Sequence, residues 1–290
     1  MFDFRYHALS LAGVFLALVI GLLLGVAIGD KELVSSARED LRDSLRSEIR
    51  SVAAERDAAK AKLAAERSYG DKAYPILTAG RLQGRRVGLV TLGPTDISPD
   101  DVRKWLDPSG ASLSLVAELD ADVDTAALAE GARGTRYDNV DEDPDLVSAL
   151  GLRAGVQMVL GGQLVGKLRR ALLQSTSGEF GGLDGVIVAR PSKVPDDKKN
   201  AARLAALQDG IVRGLAQTGV EVVGIEASDA DPSQIGWYRD RELSTVDNID
   251  ETAGHAALVF VLAGADGAFG RRDSAQELLP PVVPTAPRGG

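Results

Sequence analysis

The chain has 290 residues, and its 33 Lys and Arg against 42 Asp and Glu give a formal charge of −9; at roughly 150 residues per domain that is about two folding units. The acidic balance argues against nucleic-acid binding, which needs a net basic face, and 4% aromatics argue against base-stacking platforms or aromatic cages. With no cysteine, disulfides, thiolate metal sites, iron–sulfur clusters and cysteine nucleophiles are excluded, and two histidines with two methionines make a zinc or copper cage within one chain hard to build.

The first element is apolar. Ala8 to Ile28 is a run of 21 residues broken only by Ser10 and glycines. At about 1.5 Å per residue it spans about 30 Å, the thickness of a bilayer core. A buried core helix would show a polar face over such a length. A cleaved signal peptide has a small-residue site in Gly25-Val26-Ala27, but the run is long for its apolar region. A signal anchor fits best. Charge does not orient it: Arg5 faces Asp3 on one side, while Lys31, Arg38, Arg42 and Arg46 are interleaved with acids on the other. Gly13, Ala17, Gly21, Gly25 and Gly29 recur every four residues, a stripe that lets two helices approach closely in lipid.

Asp30 to Ser68 contains neither proline nor glycine and reads as one helix. Nine basic and eight acidic residues lie between Lys31 and Arg67. Val34, Ala37, Leu41, Leu45, Ile49, Val52, Ala59 and Leu63 fall at steps of mostly three and four, as a coiled-coil seam requires. The successive fours from Ala37 to Ile49 depart from a strict heptad. A single solvated helix is the plainer alternative, since the second half is alanine-rich. The narrow stripe favours a dimeric stalk of about 60 Å at about 1.5 Å per residue, ended by Gly70 and Pro75.

From Arg85, short apolar runs alternate with helical patterns. Val87–Leu92 reads as a strand, and Ser98-Pro99 with Asp101 as a helix start. Ser112–Ala117 reads as a second strand. Asp143-Pro144 opens a long helix with Leu146, Leu150, Val156, Leu160, Leu164, Leu168 and Leu172 inward and a possible break at Gly161-Gly162. Leu183–Ala189 and Val220–Glu226 are further strands, Ala201–Gln217 a helix ended by Gly219. A short helix follows Pro232. Ala253–Ala263 is the last helix, with the apolar Ala256–Leu262 also readable as a strand. The alternation implies a parallel sheet covered on both faces. The prolines and Gly-Gly from Pro280 onward indicate a disordered tail.

Familiar catalytic signatures are missing. The first strand ends in Gly93-Pro94-Thr95, without a phosphate-cradling glycine loop. G-x-S-x-G and H-E-x-x-H are also absent. Arg190 follows a strand, where parallel sheets place ligand sites and a guanidinium can meet a carboxylate or phosphate; an ion pair within the fold is the plainer expectation. The densest polar cluster comprises Ser244, Thr245, Asp247, Asn248 and Asp250, around Val246 and Ile249. Its oxygens suit a hard cation or acid–base work, and equally a turn and helix cap. The turn is the favoured reading.

The opening Phe4-Arg5-Tyr6-His7-Ala8-Leu9-Ser10-Leu11-Ala12-Gly13-Val14-Phe15-Leu16-Ala17-Leu18 resembles the start of the actinobacterial MctB family, labelled copper transporters, which also includes SteB-type proteins connected with cell separation. A second match is Ser244 to Asp250 followed by Gly254 and Ala256-Ala257-Leu258-Val259. Where the family tends to carry a Gly-His-Tyr-Gly-like stretch, this chain reads Gly267-Ala268-Phe269-Gly270 and lacks the histidine. The resemblance implies copper export or tolerance and a domain outside the cytoplasmic membrane. Copper(I) prefers cysteine, methionine or histidine, and this chain offers only Met1, Met158, His7 and His255, far apart in sequence.

The resulting expectation is an α/β protein. It has a membrane anchor (1–29), a coiled-coil stalk (30–69), a Rossmann-like domain with a mostly parallel sheet (70–279) and a disordered tail (280–290). It is expected in the cytoplasmic membrane, single-pass, with no cofactor beyond the copper that the resemblance suggests. Partners are the membrane and a second chain, as a homodimer or hetero-oligomer. The expected role is non-enzymatic binding or scaffolding in the envelope. The alternatives are a SteB-like role in cell separation and an anchored enzyme using Asp247 and Asp250.

Overall fold

The structure is a computed structural model that describes residues 4–141, 143–193 and 197–281, with the side chains of 4, 5, 28–37 and 144 outside the description. The expected tail beyond residue 281, and the side chains of Gly29 and Val34 in the two stripes, therefore lie outside the described residues. The chain divides into two compact units, Met1–Glu66 and Arg67–Gly290.

The first unit is helical. Helix α1 (Phe4–Thr78) runs for 75 residues and includes the apolar span Tyr6–Ala27, the one described helix long and apolar enough to cross a membrane. Gly13, Gly21 and Gly25 would meet nothing within 4 Å if given a Cβ, so their face is open. Leu41, Leu45, Ile49 and Val52 are all exposed along the same helix.

Gly70 and Pro75 do not end α1, contrary to the sequence expectation. Proline removes one backbone donor, but tertiary contacts within the second unit hold the last turns. Asp71 accepts a 2.6 Å hydrogen bond from the Thr252 hydroxyl, and buried Tyr74 donates to the Trp105 carbonyl. Arg81, just beyond the helix, stacks over Phe260 at 4.6 Å.

The second unit is built on a seven-stranded sheet. Its strands are β1 (Arg86–Thr91), β2 (Ser112–Leu119), β3 (Leu173–Gly178), β4 (Gly185–Ala189), β5 (Glu221–Ile225), β6 (Ser244–Val246) and β7 (Ala268–Phe269). Their order is β3-β2-β1-β4-β5-β6-β7, all parallel except the antiparallel pair β2–β3. All five residues of β4 are buried, as a central strand covered on both faces requires.

Helices α2 (Pro99–Leu106) and α8 (Thr252–Leu262) cover one face with Val87, Leu89, Ile187 and Val223. Helices α3 (Thr125–Gly131), α4 (Pro144–Leu160), α5 (Gln163–Leu172), α6 (Lys198–Ala216) and α7 (Ile235–Arg239) lie on the other, over Val90, Leu115, Val186 and Val188. The apolar segment 256–262 is therefore helix, not strand. It is buried almost all round, which is why its periodicity is weak.

Local chemistry sets the starts. Ser98 accepts from the Asp100 amide at 3.2 Å, and Asp143 from the Asp145 amide at 2.9 Å, each followed by proline at the first helical position. The expected long helix breaks at Gly161-Gly162 into α4 and α5, which leaves Leu160 63% exposed rather than inward. Helices α4 and α6 pack backbone to backbone. A Cβ at Gly151 would sit 2.7 Å from the Leu207 carbonyl oxygen, and one at Gly155, Gly210 or Gly214 would collide with the facing helix.

Candidate functional site

The Ser244–Asp250 cluster begins as a strand rather than a turn. Thr245 and Asp247 each donate a backbone amide to the adjacent β7 segment, to Gly267 O at 2.9 Å and Phe269 O at 3.1 Å. Buried Asp247 accepts from the amides of Arg271 at 2.7 Å and Arg272 at 3.0 Å, so it fixes the turn after β7. The Ser244 hydroxyl donates to Asp266 Oδ1 at 2.7 Å. Buried Asn248 donates to Glu251 at 3.3 Å, and Glu251 pairs with Arg271 at 2.6 Å.

Asp250 stands apart from Asp247 in its bonding. It accepts from the Ser228 amide at 2.6 Å and the Ser228 hydroxyl at 2.7 Å. Burial acts to raise its carboxyl, but the two Ser228 bonds, together with its own backbone amide and the nearby His255, hold it below the usual carboxylate range. Each carboxylate is thus occupied by backbone amides or a hydroxyl from a nearby loop. The sequence shows the residue types here but not these partners, which lie some 20 positions away along the chain.

A second constellation, of which the sequence signals Arg190 alone, lies at the carboxyl ends of β1, β4 and β5. A cleft of about 390 Å³ opens there, lined by Pro94, Thr95, Asp96 and Ile97 after β1, Arg190 to Lys193 after β4, and Ile225 at the end of β5 with Glu226, Ala227, Asp229 and Ala230 beyond it. The chain order of strands reverses between β1 and β4, and the crossovers after those strands use opposite faces. Gly93, at φ 128°, lets Pro191 approach: a Cβ there would lie 3.1 Å from the proline ring.

Arg190 is half-buried at the head of this cleft. Its Nε donates to Gln208 Oε1 at 3.0 Å, its Nη1 donates to Gln234 Oε1, and the guanidinium stacks on Trp237 at 4.7 Å. Its backbone amide donates to the buried Tyr238 hydroxyl at 2.7 Å. Burial pushes the guanidinium below its ordinary value. No carboxylate pairs with it among the described residues, so the ion pair expected from sequence is not the arrangement found. Gln208, Gln234, Trp237 and Tyr238 are separated from Arg190 by 18 to 48 positions, a distance that no local pattern in the sequence signals.

The soft metal ligands are dispersed. Met158 is fully buried in the core. His255 stacks on Trp105 at 4.9 Å and meets the Tyr74 ring edge-on at 5.8 Å. Among the described residues no group of three or more His, Cys, Asp or Glu is placed to hold a metal ion.

Comparison with known proteins gives these features a setting. The chain matches a family model described as copper transport outer membrane protein, MctB, over residues 1–280. The proteins named copper transporter MctB from Mycobacterium tuberculosis (strain ATCC 25618 / H37Rv) and Mycobacterium bovis (strain ATCC BAA-935 / AF2122/97) are each 32% identical to it over 136 residues. That stretch is 46% of this chain and 42% of theirs, so the match spans less than half the length of these relatives. Because the family model runs from the first residue through the sheet and both constellations, the chain belongs to the MctB family.

Proposed function

We propose that this protein is a single-pass component of the cell envelope that takes part in copper tolerance by binding or scaffolding, and not as a conduit or an enzyme. The single observation that carries the reading is that, among the described residues, one helix is long and apolar enough to cross a membrane and no group of side chains in the sheet domain is placed to hold a metal ion. One helix cannot enclose a pore, and of the ligands copper(I) selects this chain has no cysteine and only two methionines and two histidines. The stalk seam is proposed to join two copies, or one copy and a different protein, through Leu41, Leu45, Ile49 and Val52. The small-residue stripe Gly13, Ala17, Gly21 and Gly25 would continue that contact in lipid.

Against the enzyme alternative stands the engagement of Asp247 and Asp250 by amides and a hydroxyl. The reversal of strand order resembles doubly wound Rossmann-like sheets, and that architecture serves binding modules as readily as enzymes. The proposed topology has the amino terminus in the cytoplasm and the α/β domain outside. Reporter fusions after residue 290 test it: a periplasm-active reporter is expected to work there and a cytoplasm-active one to fail. The reverse pattern would sink the envelope reading.

A further inference from the structure

Among the described residues no carboxylate pairs with Arg190, whose guanidinium presents its charge to the cleft. A guanidinium has five N–H donors. The neutral oxygens of Gln208 and Gln234 each take one, and the ring of Trp237 covers one face. The glutamate in the cleft is committed elsewhere: Glu226 lies 2.7 Å from Arg272 Nε, accepts from the Ser233 hydroxyl at 2.7 Å and from the Gln234 amide at 2.5 Å.

The residues that hold Arg190 are themselves held. Gln208 Nε2 donates to the Leu92 carbonyl at 2.6 Å, and Gln234 Nε2 to the Pro232 carbonyl at 2.9 Å. Nη2 has no protein partner among the described residues. Buried charges are ordinarily paired, and a guanidinium fixed by neutral amides with its outer fork unused matches two oxygens of a carboxylate or phosphate. It stands in the crevice at the carboxyl ends of the strands where their order reverses, the place where open parallel sheets take ligands.

The rest of the lining narrows the ligand. Lys193 adds a second cation at the rim, while Pro94, Ile97, Pro191 and Ile225 offer an apolar wall. Asp96 and Asp229 also line the cleft. They would repel a polyanion and favour hydrogen-bond donors on the part of the ligand away from Arg190. A volume of about 390 Å³ suits a small organic molecule.

We propose that this cleft binds a small organic oxyanion, a carboxylate or phosphate monoester that also carries hydroxyl or amino donors, with Arg190 clamping its anionic group. Trp237, stacked on Arg190, is a built-in reporter. The other tryptophan, Trp105, lies on the opposite face of the sheet and is removed by Trp105→Phe.

The experiment titrates the 290-residue chain, as Trp105→Phe in detergent micelles, with gluconate and with glycerol 3-phosphate, following Trp237 fluorescence. Sodium chloride at matched ionic strength and glycerol are the blanks. A saturable change with at least one of the two acids is expected, and which one responds separates carboxylate from phosphate. Arg190→Lys is expected to weaken the response at least tenfold, as is Thr95→Glu, which puts a carboxylate on the cleft wall without touching the Arg190 supports. The absence of a saturable change with either acid in the parent would overturn the proposal. So would a parent-like response in whichever of the two variants is folded.

Discussion

His255 shows at the scale of one residue how packing sets the chemistry of a side chain. It is one of two histidines, and its position inside the last helix favours a place on the surface or in the core over a ligand's role. In the fold it fills an aromatic slot between Trp105 and Tyr74, and burial is the main influence on its imidazole, lowering its pKa from the ordinary 6.5. The Ile249 backbone and the carboxylates of Asp250, Asp71 and Asp101, which face it, pull more weakly in the other direction. With the folded-state pKa depressed, the unfolded chain binds the proton first on acidification. The stability that neutral His255 contributes is therefore complete above pH 6.5 and is lost as pH falls from there toward the folded-state value. Each unit of such a depression corresponds to about 1.4 kcal/mol. Urea unfolding at pH 7.5 and pH 5.5 should show a larger loss of stability for the parent than for His255→Phe, which keeps the ring stack. Equal losses would mean that the histidine is not the titrating group.

Elements were legible in proportion to how much of their pattern was local. The helix starts at Ser98-Pro99 and Asp143-Pro144 were readable because cap, proline and amide lie within three residues. Strands β1, β4 and β5 were readable because strands covered on both faces are continuously apolar. Strand β3 was not: Leu-Gln-Ser-Thr-Ser-Gly is an edge strand with most of its residues open to solvent. Strands β6 and β7 span three and two residues and are recognisable only from their partners. The close packing of α4 on α6 sets Gly151 against Leu207 and Gly210, Gly155 against Ile211, and Gly214 against Leu152, contacts between segments about 60 residues apart in the chain.

Helix α1 allows an element-scale test of the stalk. Leu41, Leu45, Ile49 and Val52 are exposed in the single chain, at 48 to 67%. Their burial in a partner would contribute at roughly 25 cal/mol per Å² of apolar surface removed from water, and the alanine-rich half less. A charge placed in that seam loses its hydration without gaining a partner. Leu45→Asp should therefore weaken self-association in analytical ultracentrifugation at least tenfold, and Ala59→Asp distinctly less, with the sheet domain still folded by circular dichroism. A monomeric parent at high micromolar concentration would rule out the self-dimer and direct the search to a heteromeric partner.

For the whole molecule, the architecture was the most legible part of the sequence. An apolar run, a charged helical stretch and alternating strands and helices announce themselves over tens of residues, whereas the Arg190 cleft depends on loops from three separate strands. Family membership and the shortage of copper ligands pull in different directions, and the role proposed above, in copper tolerance without a copper site in the single chain, is the reading that reconciles them. Competition with a copper(I) chelator on the purified 290-residue chain in detergent tests that reading most directly. The account predicts that bound copper falls well below one ion per chain once the chelator is in modest excess. Retention of one copper per chain against that chelator would contradict it and would make the protein a copper-binding transporter component in its own right.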